Sequence, residues 1–189
     1  MKLLENVSWA FMFGIVLMAS LAFTAHGAMM DSAWAMTFLR TVHVFFGIVW
    51  IGLLYYFNLV QIPTMPSVPA ELKPGVTKYI APAALFYFRW AALGTVLVGI
   101  GLSGANFVPS MTFQPGFWLI GMGMWLGLIM AANVWFVIWP NQKRALGLVE
   151  ADAATKAASA RTAMLFSRTN FVLSLPMLYA MTMYQSMPY

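Results

Sequence analysis

The sequence predicts an all-α fold, a polytopic transmembrane helix bundle of five spans forming a single domain over residues 1–189. Three observations predict it. The chain is 62% hydrophobic and only 8% charged, against about 25% charged residues in a soluble globular domain. Its apolar residues come in blocks of about twenty or more, enough to cross a hydrocarbon core of about 30 Å as a helix. Its Lys and Arg residues gather between alternate blocks, the bias that sets topology.

The elements follow in chain order. Span one is expected at about 7–28. Lys2 ahead of an apolar run, with small Ala25, Gly27 and Ala28 behind it, resembles a signal peptide. The run from Trp9 to Ala25 is near full span length, however, and reads as a retained helix holding His26 near its far end. Met29 to Asp31 form a turn, and Asp31 or Ser32 caps the next helix. Span two covers about 33–60. The stretch QIPTMPSVPAELKPG then reads as an extended loop over the bilayer surface, because helix interiors reject so many prolines.

Span three covers about 79–101, with Pro82 in its first turn, where proline is tolerated, and Arg89 well inside. The linker LSGANFVPSMTFQPG carries no charge. Span four covers about 117–139 and is expected to stop at Pro140. The polar stretch NQKRALGLVEADAATKAASAR reads as a short surface helix or an extension of span five, which covers about 162–183 and should kink at Pro176.

Lys2, Lys73, Lys78, Lys143, Arg144, Lys156 and Arg161 all fall on one side of this arrangement. The other loops and the C-terminus hold no basic residue. The expectation is a cytoplasmic N-terminus and an external or periplasmic C-terminus. The net charge of +5 serves that topology rather than nucleic acid, since the basic residues form no patch. With no cysteine, disulfides, thiolate metal sites, Fe–S clusters and covalent haem attachment are excluded. There is no P-loop, no dinucleotide-binding glycine motif and no Ser-His-Asp set. The spans hold no Asp or Glu for carboxylate-based hydrolysis. Neither a filter-like loop nor a charged ring suggests a pore.

Three cations remain within spans: Arg40, Arg89 and Arg168. Such residues are functional-site candidates by default, because lipid penalises them unpaired. Arg168 is close enough to a span end to snorkel. Haem propionates would be suitable partners for Arg40 and Arg89. His43 follows Arg40 by three residues and precedes Gly47 by four, so all three share a helix face. Imidazole is an axial haem ligand. Gly47 would leave clearance for a macrocycle, with Phe45, Phe46 and Trp50 packed around it.

The second axial ligand stays open. His26 lies about 10 Å from the depth of His43 on 1.5 Å per residue. A methionine, a partner subunit's side chain or a five-coordinate iron are the alternatives. His43 could instead hydrogen-bond a neighbouring helix. Asn133, Asn141 and Asn170 are expected to form polar contacts between helices.

The helix LRTVHVFFGIVWIGLLYYFNLVQIP, the segment NVWFVIWPNQK and the stretch ARTAMLFSRTNFVLSLPMLYAM together resemble the urate-oxidase N-terminal type membrane domain. The first is also similar to helices of haem-associated copper-resistance D-like proteins and HemJ-like protoporphyrinogen oxidases. The resemblance implies a bacterial inner-membrane protein with haem b, redox chemistry and His43 as the residue that carries it. Longer members have more spans and a C-terminal cytochrome c domain, neither of which lies in these residues. The resulting expectation is an electron-transfer or oxidoreductase component working with other membrane subunits or a cytochrome c, catalytic residues unknown. A structural subunit without haem is the alternative.

Overall fold

The structure is a computed structural model that describes residues 2–27 and 31–186. Among the described residues all regular structure is helical. The chain divides into two compact units, Met1–Phe38 and Leu39–Tyr189.

The first unit holds a short turn, Lys2–Glu5, and helix α1, Val7–His26. Asn6 caps α1, its side chain accepting from the N–H groups of Ser8 and Trp9. No residue of α1 is buried. Part of the expected turn at 29–31 lies outside the described residues. Helix α2, Ser32–Tyr55, starts in this unit and continues into the second. Asp31 caps it, accepting from the Trp34 N–H at 2.9 Å.

The second unit adds α3, Ala81–Ser103; α4, Trp118–Ala132; and α5, Ala153–Met183. Four helical stretches are long and apolar enough to cross a membrane: Val7–His26, Ser32–Ser67, Lys73–Met111 and Trp118–Ala145. Three of them run well past their expected ends, which corrects the reading of the proline-rich stretch and of Pro140. Helical turns persist to Ser67 and resume at Lys73, so only a short connection separates them. The fourth stretch passes Pro140 and ends at Ala145.

The physical reason is a change of helical register. π-Helical segments occupy Tyr56–Gln61, Val76–Ile80 and Asn133–Ile138. Each ends two residues before a proline: Pro63, Pro82 and Pro140. The residue between, Ile62, Ala81 or Trp139, sends its N–H five residues back, to Phe57, Val76 or Val134. Proline has no N–H, and its ring clashes with the carbonyl four residues earlier. Widening the turn ahead of it relieves both problems and lets the helix continue. Side-chain donors meet carbonyls around these segments: Asn58 to Leu54, Thr77 to Lys73 and Asn141 to Val137.

The core of the second unit is built on one face of each helix. Trp50, Leu54 and Phe57 of the α2 stretch meet Leu85, Phe88, Ala91 and Ala92 of α3, and Met130, Val134 and Ile138 of the α4 stretch. Helix α5 inverts the usual pattern. Its buried stripe is Ser159, Ala163, Ser167, Asn170, Ser174, Met177 and Ala180, while Leu165, Val172, Leu175 and Tyr179 are exposed.

That stripe is hydrogen-bonded. Asn170, 0% exposed, donates to the Met130 carbonyl at 2.9 Å and accepts from Asn133 Nδ2 at 3.0 Å. Asn58 donates to Ser167 Oγ at 2.9 Å. Ser174 donates to the Phe171 carbonyl, so the Tyr55 hydroxyl donates to Ser174 Oγ, 3.1 Å away. Helix α5 has 31 residues, long enough to span. Its polar stripe and arginines are what keep it from the apolarity of the other four.

Close approaches rest on glycine. A Cβ on Gly121 would collide with the Ser110 carbonyl, and one on Gly123 would press on Ala180 of α5.

Two outcomes follow. In a double-mutant cycle of Asn133→Ala and Asn170→Ala, unfolding in mixed micelles should give a coupling of about 0.6 to 1.7 kcal/mol, the range of polar pairs between membrane helices. Zero coupling would remove Asn133–Asn170 as a fastening between α4 and α5. Asp152 caps α5, accepting from the Thr155 N–H and hydroxyl at 2.8 Å each. These bonds hold its carboxyl below the usual carboxylate range. The depressed value means the cap contributes above the unfolded-state pKa and is lost as pH falls through the folded one. Amide exchange in the first turn of α5, corrected for intrinsic rate, should therefore speed up under acid in the native chain and be pH-insensitive in Asp152→Ala.

Candidate functional site around His43

His43 sits in α2 with its ring against α3. Nδ1 is 2.9 Å from the Thr95 carbonyl oxygen. A carbonyl only accepts, so Nδ1 carries the proton, and the neutral ring presents its lone pair at Nε2. This arrangement orients metal-binding histidines: one nitrogen held by a backbone carbonyl, the other free to ligate. The ring is seated over Gly99, where an added Cβ would lie 2.9 Å from Cε1. One turn along α2, Phe46 packs over Gly94 in the same way, at 2.8 Å. The α2–α3 crossing thus depends on two bare backbone patches on α3. Small residues four apart at Ala91, Thr95 and Gly99 were a readable sign of a close crossing, but they did not name the partner.

The face that carries His43 continues through Gly47 to Trp50. A Cβ on Gly47 would meet nothing within 4 Å. Trp50 is 1% exposed, yet its indole N–H has no hydrogen-bond partner. A buried donor without a partner is uncommon and calls for a reason. One face of α2 thus carries an imidazole with one nitrogen fixed, a glycine with open space above it and an unmet donor. Arg40, one turn toward the start of α2, is exposed.

Arg89 is not part of this cluster. It lies six residues before Thr95, about 9 Å along α3 at 1.5 Å per residue, on the side away from Arg40. Its guanidinium sits 4.0 Å from the centroid of Trp139 and 5.2 Å from that of Phe86. One Nη donates to the Leu85 carbonyl. Trp135 Nε1 donates to the Arg89 carbonyl at 3.2 Å. Arg89 is thus placed among aromatic rings that a cation favours, where the sequence suggested propionates.

Arg168 is exposed on α5. His26 ends α1 in the first unit and is exposed. Asn133 and Asn170 are brought together, but Asn141 bonds the Val137 carbonyl of its own helix. Among the described residues no group of three or more His, Asp or Glu is placed to hold a metal ion.

Removing the cation from this aromatic nest tests its role. Arg89→Met keeps the stem and drops the charge, and should destabilise the bundle by about 1 kcal/mol, within the range of partly desolvated cation–π contacts. In a Trp139→Leu background the same change should have little effect on unfolding.

Comparison with known proteins agrees with part of this picture. Residues 104–186 match the family described as urate oxidase N-terminal. The matched stretch takes in NVWFVIWPNQK and α5, and leaves out the His43 helix. No curated protein and no solved structure matches the chain. Over residues 104–186, which carry α4 and α5, the chain is similar to the urate oxidase N-terminal family.

Proposed function

We propose that the protein is a haem-b-binding electron-transfer or oxidoreductase component of a bacterial inner-membrane complex, with His43 as an iron ligand. The observation that carries this reading is the fixed tautomer of His43, which leaves Nε2 to ligate. Bound there, haem b would supply one-electron redox chemistry. The chain's own residues do the rest. Thr95 holds the imidazole in one orientation, and Gly99 admits it to the helix crossing. Gly47 leaves the neighbouring turn clear. The Trp50 N–H, unmet in the core, offers a donor to an acceptor on the group. Arg40, on the same face, supplies a cation for a propionate.

The reading places five helices across the membrane. Helix α5 is included because Leu165, Val172, Leu175 and Tyr179 face outward while Ser167, Asn170 and Ser174 point inward. That is the distribution a lipid-facing helix needs. Lys73, Lys78, Lys143, Arg144, Lys156 and Arg161 lie toward the helix ends assigned to the cytoplasm, with the C-terminus periplasmic. Other membrane subunits or a cytochrome c are the partners. A second reading, a structural subunit without haem, is favoured by exposed Arg40 and Arg168, since the expected spans hold no Asp or Glu to meet them.

A reduced-minus-oxidised spectrum of the purified, folded protein separates the two. The haem reading expects a b-type band that His43→Ala abolishes. Gly99→Ala, which forces the ring off its seat, should shift or weaken the band while leaving the helix content unchanged. A folded protein with no band would leave the structural reading.

A further inference from the structure

At the end of the second unit away from His43, the bundle forms a partly open cavity of about 200 Å³. All three π-helical segments border it, through Gln61, Thr77 and Ile138. Four polar side chains line it: Gln61, Thr77, Gln142 and Ser167. The remaining lining is apolar and includes Phe57 and Phe88, whose rings meet edge to face at 5.7 Å. None of the lining residues is ionisable.

Hydrogen bonding in this cavity is incomplete in a particular way. Gln61 Oε1 is shielded from solvent and has no partner. Ser167 Oγ accepts from Asn58 Nδ2, which leaves the Ser167 proton to donate. A ligand that completes the cavity needs a donor for Gln61 and an acceptor for Ser167. A hydroxyl is both, and it meets the Gln61 carboxamide in either of its flips. A charged ligand would be buried without a counter-charge, which is expensive. An acyl chain would leave Gln61 unmatched. The volume compares with the roughly 150 Å³ that holds benzene in an apolar cavity, and the paired Phe rings offer edge and face contacts to another ring.

We propose that this cavity binds an uncharged, hydroxyl-bearing six-membered aromatic ring, of the quinol class, with Gln61 accepting from its hydroxyl. The proposal concerns a site separate from His43 and holds whether or not haem is bound.

Calorimetric titration of the full chain in detergent micelles, under argon, tests it with three probes: methylhydroquinone, its dimethyl ether and toluene. The expected result is saturable binding of methylhydroquinone, with the ether and toluene weaker by about tenfold or more, the size of one buried hydrogen bond. Gln61→Leu should weaken methylhydroquinone by a similar factor and leave the ether unchanged. Ala160→Leu places bulk at an exposed lining position and should reduce binding of all three, with helix content and elution volume as wild type. Equal affinity for methylhydroquinone and toluene would overturn the proposal, as would undiminished binding by folded Gln61→Leu. No saturable binding to the folded wild-type chain would overturn it too.

Discussion

One buried amide fastens α5 to the α4 stretch. Asn170 has no exposed surface and spends both ends of its side chain on the α4 stretch, one on a backbone carbonyl and one on Asn133. Within a bilayer the apolar effect gives helices little reason to choose each other, since lipid tails are as apolar as leucine. Specificity then comes from polar pairs and from small residues that allow close approach. Tyr55–Ser174 and Asn58–Ser167 tie α5 to the α2 stretch by the same logic. Helix α5 is therefore the polar spine on which two neighbours are registered, and Gly123 lets it approach α4 closely.

The His43 site depends on a different crossing. Between α2 and α3 the contacts are rings on bare backbone: Phe46 on Gly94 and His43 on Gly99. The Thr95 carbonyl then settles which imidazole nitrogen is protonated. A helix carbonyl is a rigid acceptor, so the orientation of the ring is inherited from α3 rather than chosen by α2. Arg89 marks the opposite half of the bundle, where tryptophan and phenylalanine rings take the place of a counter-ion.

How much of this was legible in the sequence varies from one residue to the next. The helical class and the apolar stretches follow from block length and low charge, and the Asp31 cap from its position ahead of an apolar run. Pro63 and Pro140 were misread as stops because propensity treats proline as terminating an α-helix. It says nothing of a helix that changes register first. Arg89 was taken for an anion's partner because Trp139 lies fifty residues away and no spacing rule links them. His43 could be flagged as unusual. Its tautomer could not, because that depends on a carbonyl in another helix.

The register changes also affect how side chains map onto faces. A π turn accommodates an additional residue, so each such segment rotates whatever follows by one position, about 100° on a helical wheel. A wheel drawn straight through 32–67 therefore falls out of phase beyond Tyr56. Ile62 and Met65, which an unbroken α-helix would place about 140° and 80° round from Phe57, are carried round to line the cavity with it. The prolines thus act as phase shifters, deciding which side chains look inward at that end of the bundle.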